Sequence, residues 1–227
     1  MSISPIKIWG HWGAPNPYKV CIVLEALGLP YDMHLLEFSE VKQEPYLRIT
    51  PNGRLPTIQD PNTGLTLWES GVIVQYLINE YDKTGKISYS SFAEKYHCQQ
   101  WLAFQTSGQG PYFGQATWFA RFHHEKLPSA TERYVNEILR VTGVLELGLE
   151  RNGTGWLVGE KCTYADLSFV TWASVAEGLL KEIGKYDGFE EKYPRYEAWI
   201  RSMEDIEHVK RIRERMAEGR VAHGLSK

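Results

Sequence analysis

The hydrophobic pattern of the first 82 residues switches repeatedly between the period of a strand and that of a helix. Short apolar segments bounded by turn residues predict strands, at residues 6–9, 31–38, 55–60 and 66–68. Apolar residues on one helical face predict helices, at residues 18–27 and 69–81, with a shorter helical turn at 44–49. This βαβαββα order predicts a mixed sheet with helices packed against it.

The pattern changes after this region. Residues 84–91 are polar, rich in serine and contain Gly85, which is typical of a linker. Strand-like segments then almost disappear, and long helical patterns follow, at residues 92–122, 131–150, 164–183, 193–203 and 207–216. We therefore predict an α/β domain over residues 1–83, a linker over 84–91 and an all-helical domain over 92–227.

Length and composition are those of a packed globular protein. The 227 residues allow one or two domains, and 43% are hydrophobic while 23% are charged. With a net charge of -3, the chain has no basic stripe that could neutralise the phosphates of a nucleic acid, so nucleic-acid binding is disfavoured. Apolar runs stay below the ~20 residues of a membrane span, and no leader pattern precedes the first strand. We expect a cytoplasmic protein that acts on small molecules or protein partners.

The cysteines carry no sign of catalytic or metal chemistry. Cys21, Cys98 and Cys162 are widely spaced, without the CxxC pairs of zinc and redox motifs, which favours a reducing compartment. Cys21 stands among apolar neighbours in the first predicted helix and is interpreted as a core residue. We assign catalysis to none of the three and predict no metal site.

Five sequence motifs resemble motifs of the glutathione transferase superfamily. They are Ala14-Pro15-Asn16-Pro17-Tyr18-Lys19-Val20, Pro51-Asn52-Gly53-Arg54-Leu55-Pro56, Trp68-Glu69-Ser70-Gly71, Gln105-Thr106-Ser107-Gly108 and Glu132-Arg133-Tyr134. Together they are similar to the branch that contains the globular half of the yeast nitrogen-regulating prion protein and related fungal and bacterial transferases. The similarity runs from about Ile6 to Met216.

This resemblance implies several properties. The α/β domain should have the thioredoxin-like fold, and the helical domain should be the bundle that completes the transferase architecture. Glutathione should be the co-substrate, with no metal, and the protein should be a homodimer with a role in detoxification. Because the first strand begins within ten residues of Met1, we expect no Asn/Gln-rich extension of the kind the yeast regulator carries.

Two dipeptides form the predicted glutathione site. Leu55-Pro56 is expected to contain a cis bond, because relatives pair the backbone before this proline with the cysteinyl part of glutathione, like an added strand. A trans proline at the start of a strand is the alternative. Glu69-Ser70 lies where a strand gives way to a helix, whose N-terminus favours the γ-glutamyl carboxylate while Glu69 binds the adjacent ammonium. Ser70 could instead serve only as a helix N-cap.

Asn16 is the candidate for activating the thiol. The glutathione thiol, with a pKa near ~8.5, is only slightly ionised at neutral pH, so the site must stabilise the thiolate. Many relatives place a Ser, Tyr or Cys after the first strand, whereas residues 12–16 offer neither hydroxyl nor thiol. The Asn16 amide can donate a hydrogen bond to sulfur. An N-cap role alone is the alternative.

Three basic residues are further ligand candidates. Lys42 stands beside Val41, where relatives supply a His or Gln to the glycyl carboxylate, but it could equally be a solvated surface lysine. Arg54 is expected to hold the Asn52-Gly53 turn or to reach the ligand. Arg133 resembles an arginine that relatives extend across the dimer interface to glutathione, and a structural ion pair is an equal alternative.

The second-substrate pocket is expected between the domains and should be aromatic. Its predicted residues are Trp12, Phe104, Gly108, Tyr112, Trp118 and Phe119. Such a lining favours hydrophobic electrophiles, although at least half of these residues could be ordinary core residues at helical spacing. Thr163-Tyr164-Ala165-Asp166 matches the capping-box pattern and predicts the start of a helix rather than a site.

The sequence leaves three functions open. The first is a glutathione S-transferase that conjugates hydrophobic electrophiles, and the second is a glutathione-dependent disulfide oxidoreductase. The third is a glutathione-binding regulator that acts through protein partners without catalysis. Intact binding motifs favour an enzyme, although fold alone does not decide function.

Overall fold

The computed structural model describes residues 3–223, so the outermost residues of the two predicted domains, 1–2 and 224–227, lie outside the described residues. The strands are β1 (Ile6–Gly10), β2 (Tyr31–Leu35), β3 (Thr57–Asp60) and β4 (Leu65–Trp68). The helices are α1 (Pro15–Leu27), α2 (Tyr46–Ile49), α3 (Ser70–Tyr81), α4 (Phe92–Phe104), α5 (Gly110–Thr117), α6 (Pro128–Asn152), α7 (Tyr164–Leu167), α8 (Val170–Glu182), α9 (Phe189–Lys192), α10 (Pro194–Glu204) and α11 (Glu207–Ala222).

The strands form the mixed sheet that the sequence predicts. Their order is β2-β1-β3-β4, with β1 parallel to β2 and antiparallel to β3, and β3 antiparallel to β4. Ile8 and Ile58 are register partners in the middle of the sheet, and both side chains are fully buried. The thioredoxin-like fold of this domain is confirmed.

The chain divides into two compact units, and their boundary differs from the predicted domains. The first unit runs to Ser88 and also includes the segment from Ile206, while the second covers Tyr89–Asp205. The prediction placed residues 207–216 in the helical domain, whereas α11 packs on α1 of the first unit. Burial of the apolar face of α11 explains this position, and Arg211 Nη2 donates to Glu25 Oε2 at 2.7 Å.

The second unit is helical, as predicted, but its first long helix is not uniform. Residues 92–122 contain two π-helical turns. Gln105–Gln109 lies between α4 and α5, and Trp118–Phe122 follows α5. In the first turn the fully buried Gln105 amide donates to Gln109 Oε1 at 3.0 Å, and Gln109 donates to the carbonyl of Phe169 at 3.1 Å. These buried amide contacts stabilise a turn whose geometry leaves ordinary helical bonds unmade.

Asp166 organises the centre of the second unit. Its carboxylate is fully buried and accepts hydrogen bonds from the Leu157 and Thr163 amides, each at 2.9 Å, and from Trp199 Nε1 at 3.0 Å. The Thr163 hydroxyl adds a fourth bond at 2.8 Å. The predicted capping box is therefore present, and it is part of a larger buried network. The predicted helix over 164–183 is divided into α7 and α8 by Ser168 and Phe169.

Candidate functional site

The loop before β3 has the backbone that the sequence predicts. The Leu55–Pro56 bond is cis, Leu55 is half-buried and Pro56 is buried. Thr57 is the first paired residue of β3 and pairs with Trp68, the last residue of β4. Leu55-Pro56 and Glu69-Ser70 therefore lie at the same end of these two strands, so the structure brings the two predicted glutathione-binding dipeptides together.

Tyr46 fixes this loop, although the sequence analysis did not single it out. The Tyr46 hydroxyl donates to the carbonyl of Arg54 at 2.8 Å and lies 2.9 Å from the Thr57 hydroxyl. These two contacts stand on either side of Leu55-Pro56 and hold its backbone from within the core. The Arg54 side chain itself is exposed, and the contact shown for this residue is made by its backbone.

A chain of polar contacts connects the predicted binding residues. Lys42 Nζ donates to the Asn52 carbonyl at 3.0 Å, and Asn52 Nδ2 donates to Glu69 Oε1 at 3.2 Å. Gly53, with φ of 56°, lies so close to this turn that a Cβ atom would stand 2.6 Å from the Val41 carbonyl oxygen. Lys42 is thus placed at the Asn52-Gly53 turn, and Asn52, which the sequence analysis named only as part of that turn, contacts Glu69.

The start of α3 leaves backbone amides without acceptors inside the helix. Glu69, not Ser70, is the N-cap, and Ser70 is the buried first residue of the helix. The first helical bond runs from the Ile73 amide to the Glu69 carbonyl, so the preceding amides have no acceptor within the helix. Glu69 has φ of 69°, a conformation that non-glycine residues rarely adopt and that marks functional sites.

Asn16 lies in the first turn of α1 rather than at its cap. The helix begins at Pro15, earlier than the predicted start at Tyr18, and Ala14 is the N-cap. Proline at this first position explains the earlier start, because its fixed φ suits a helix and its missing amide leaves no unpaired donor. The N-cap alternative for Asn16 is therefore wrong. Its half-buried side chain stands at the helix N-terminus, where an anion such as a thiolate is favoured.

Lys19 is a buried charge that the sequence analysis did not select. It follows Asn16 by one helical turn and is only 1% exposed. Burial lowers the pKa of the Lys19 ammonium to about 7, while the nearby Glu69 carboxylate acts in the opposite direction. A lysine between Tyr18 and Val20 in an otherwise apolar helix was the available signal. Lys19 places a titratable positive charge inside the protein, within electrostatic reach of Glu69.

We expect Lys19→Met to remove a pH dependence of stability. The Lys19 pKa falls from the ordinary 10.5 to about 7 on folding, so the unfolded chain binds more protons between these values. The wild-type free energy of unfolding should therefore rise with pH across this window, by at most roughly 1.4 kcal/mol per pH unit. Denaturant unfolding at several pH values measures the slope. The exposed Lys95→Met variant is the control, and a K19M slope equal to that of wild type would contradict the expectation.

Arg133 makes a structural ion pair in the second unit. Its guanidinium donates to Glu137 Oε1 at 2.6 Å, and Arg140 donates to Glu137 Oε2 at 2.7 Å. These two arginines hold the pKa of Glu137 below its ordinary value. The Arg133 side chain is 60% exposed, so the ion pair leaves it at the surface. The proposed contact with a partner's glutathione stays a prediction.

The predicted pocket residues fall into separate groups. Trp12 belongs to the first unit. In the second unit Phe104 packs over the position of Gly108, while Tyr112 and Phe119 both contact Tyr134, with Phe119 stacked on it at 5.6 Å between ring centroids. Trp118 is 49% exposed and contacts Phe122. The aromatic pocket as a whole stays a prediction.

Cys21 is a core residue, as the sequence analysis expects. Cys21 and Cys98 are buried and Cys162 is half-buried. Burial raises the pKa of the Cys21 thiol to about 12 and that of Cys98 to about 11, and it raises the pKa of Cys162 as well. Each thiol is thus held in its protonated form at neutral pH.

Within residues 3–223, no cluster of three or more histidine, cysteine, aspartate or glutamate side chains could hold a metal ion. None of the helices in this range is both long enough and apolar enough to cross a membrane.

Comparison with known proteins shows the family. Family models of the glutathione S-transferase N-terminal and C-terminal domains match residues 4–79 and 115–214. The glutathione S-transferase-like protein gedE of Aspergillus terreus is 49% identical over 217 residues, which cover 92% of this chain and 95% of that protein. The chain belongs to the glutathione transferase family.

Solved structures define the branch within that family. Glutathione transferase URE2P6 from Phanerochaete chrysosporium, in complex with oxidized glutathione, has a TM-score of 0.87 and 44% identity over 94% of this chain and 97% of that one. Ure2p5 from the same fungus, cocrystallized with 1-(S-glutathionyl)-2,4-dinitrobenzene, has a TM-score of 0.87 and 35% identity over 100% of both chains. The similarity is therefore to the Ure2-like fungal glutathione transferases.

Proposed function

We propose that this protein is a glutathione transferase that joins the glutathione thiolate to hydrophobic electrophiles. The observation that supports this most is the site at the end of β3 and β4, where cis Leu55–Pro56 stands beside Glu69 and the buried Ser70. Each group has a counterpart in glutathione: the cysteinyl backbone, the ammonium and the γ-glutamyl carboxylate. The relative that was cocrystallized with a glutathionyl-dinitrobenzene supports a thioether product.

Asn16 supplies thiolate stabilisation in this proposal. The thiol proton leaves to solvent, and the thiolate sulfur donates an electron pair to the electrophilic carbon. A C–S bond forms while the leaving group departs with its bonding pair. A hydrogen bond from the Asn16 amide to the charged sulfur is worth ~1.5 to 3 kcal/mol, or about one to two pKa units of the thiol. The proposed site contains no general base, so stabilisation and proximity account for the rate.

Disulfide exchange is the second candidate. It is favoured by the segment of residues 12–16, which presents no hydroxyl to stabilise the thiolate for conjugation. In this reaction the glutathione thiolate attacks the glutathionyl sulfur of a mixed disulfide. Glutathione disulfide forms, and the other sulfur leaves as a thiolate. The structure of a relative with oxidized glutathione is compatible with this reaction.

Parallel assays test the two activities and separate them from regulation without catalysis. Purified protein is incubated with glutathione and 1-chloro-2,4-dinitrobenzene, and separately with glutathione and a small glutathionyl mixed disulfide. Glutathione affinity is measured by calorimetry on the same preparation. Turnover of the aromatic substrate supports the transferase, and turnover of the disulfide alone supports the oxidoreductase. Tight glutathione binding with neither activity would overturn the enzyme proposal and favour a regulator.

We expect Glu69→Gln to weaken glutathione binding by about 5- to 10-fold. The substitution replaces a charge-assisted bond to the ligand ammonium with a neutral one, a difference of about 1 kcal/mol or slightly more. Titration calorimetry measures the change in Kd, and kcat at saturating glutathione should stay within about two-fold. Glu80→Gln, on an exposed position of the same helix, is the matched control. Equal affinities of E69Q and wild type would remove Glu69 from the site.

The proposed form of the protein is a cytoplasmic homodimer. Exposed apolar side chains on β4 and α3 support association, because Leu65, Trp68 and Val72 are 46%, 39% and 52% exposed. In such a dimer the exposed Arg133 could reach a ligand of the other subunit, since its ion pair leaves it at the surface.

A further inference from the structure

The loop between β1 and α1 is organised around one buried histidine. The His11 side chain is fully buried, and its ring lies between Trp12 and Phe38, with centroid distances of 4.2 and 3.8 Å. The Gly13 amide donates to His11 Nδ1 at 3.0 Å, and the Ala14 amide donates to the His11 carbonyl at 3.1 Å. Two successive amides of the loop are thus bound to the same residue.

The hydrogen bond from the Gly13 amide defines the tautomer of the His11 ring. Because Nδ1 accepts a hydrogen bond, the neutral ring carries its proton on Nε2. Nε2 is buried, has no hydrogen-bond partner within the described residues and lies 3.9 Å from Glu37 Oε2. Burial is the main influence that lowers the His11 pKa, with His223 acting in the same direction and Glu37 opposing both. The ring is therefore kept neutral, with Nδ1 available to the Gly13 amide.

The opposite face of the loop is also fixed. The Trp12 ring stacks on His223 at 4.1 Å between centroids and an interplanar angle of 10°. At Gly219 of α11, an added Cβ would stand 2.9 Å from Trp12 Cβ, so the helix approaches closely because this position is glycine. The four rings His223, Trp12, His11 and Phe38 form a continuous series across the loop, which we call the aromatic series.

The Gly13 amide that binds His11 lies three residues before Asn16 in the chain. Gly13 is followed by Ala14, the N-cap of α1, and by Asn16 in the first helical turn. We propose that His11 is a positioning residue, which accepts the Gly13 amide at Nδ1 and thereby fixes the loop that presents the Asn16 amide to the glutathione thiol. This inference rests on the proposed role of Asn16 in thiolate stabilisation. The aromatic series holds the His11 ring in the orientation that this contact requires.

A pair of substitutions separates the hydrogen bond from the packing. His11→Phe keeps an aromatic ring in the series but removes the acceptor, whereas His11→Asn places an amide oxygen near the position of Nδ1. The thiolate absorbance of bound glutathione, titrated against pH, reports the thiol pKa without turnover, and kcat and KM are measured beside it. We expect H11F to raise the thiol pKa and to lower kcat by about 3- to 10-fold, as for one lost hydrogen bond. The KM for glutathione should stay within about two-fold, and H11N should recover most of kcat.

The outcomes distinguish this inference from the function on which it rests. His208→Phe is the control, because His208 is a partly buried histidine of the same unit whose Nε2, like that of His11, has no hydrogen-bond partner in the described residues. If the thiol pKa of glutathione bound to the wild-type protein is no lower than that of free glutathione, both proposals are overturned. The role of His11 alone is overturned if the wild-type protein lowers this thiol pKa and H11F lowers it equally. It is also overturned if the kcat of H11N is as low as that of H11F. If H11F does not fold, H11N against His11→Gln makes the same comparison, because glutamine places its amide at Nε2 instead.

Discussion

Replacing Asn16 by alanine is expected to lower turnover by about 10- to 100-fold while glutathione affinity stays within about two-fold. The side chain is half-buried in the first turn of α1, where it can donate to the sulfur but makes no proposed contact with the ends of the tripeptide. Loss of a hydrogen bond to a charged atom costs ~1.5 to 3 kcal/mol, which gives this range of rates. Steady-state kinetics together with calorimetry of glutathione binding separates the two effects.

Two further variants sharpen this experiment. Asn16→Asp keeps the size of the side chain but opposes the thiolate with a negative charge, so it should be at least as impaired as N16A. Asn79→Ala removes an amide at an exposed position of α3 and should retain wild-type kinetics. If N16A turned over at the wild-type rate, thiolate stabilisation would have to be assigned to another group.

Asp166→Ala should destabilise the protein by about 3 to 5 kcal/mol, a large part of the total stability of an ordinary domain. The substitution leaves the buried amides of Leu157 and Thr163 and the indole N–H of Trp199 without their acceptor. Each such donor costs ~1 to 3 kcal/mol, and partial relaxation reduces the sum. Urea denaturation measures the loss, and the yield of folded protein should fall with it.

Graded variants test whether the whole network is responsible. Thr163→Ala removes the hydroxyl and a buried methyl group but keeps the carboxylate, and it should cost about 1 to 2 kcal/mol. Asp205→Ala, at an exposed position, should change stability by less than ~0.5 kcal/mol. A D166A variant no less stable than T163A would show that the buried carboxylate contributes only as a cap.

The sequence predicts those parts of the fold that depend on local pattern. Alternating apolar residues and the Pro61–Gly64 turn are enough to predict the β3–β4 hairpin, and the spacing from Thr163 to Asp166 is enough for the capping box. The position of α11 could not be predicted in this way. Its pattern shows an apolar face but does not say which surface covers it.

The candidate site shows the same division. The cis bond at Leu55-Pro56 is predicted by its motif and is present, whereas the positive φ of Glu69 is visible only in the structure. Tyr46 and Asn52 could not be found this way, since their contacts join residues that lie apart in the chain. For Lys19 the sequence carries only its apolar neighbours Tyr18 and Val20 as a signal, because a lysine in a helix is usually solvated and only the packed structure shows that it is buried.

The assignment of α11 to the first unit has a consequence for biosynthesis. The unit that contains the proposed glutathione site is discontinuous in sequence, and the whole of Tyr89–Asp205 separates its two pieces. During translation the sheet and α1 leave the ribosome long before the helix that covers them. The side of α1 that α11 covers, and the loop whose Trp12 stacks on His223, therefore reach their final packing only after the second unit has been synthesised. The loop that precedes Asn16 is thus completed late in the maturation of this chain, although it is encoded near the start.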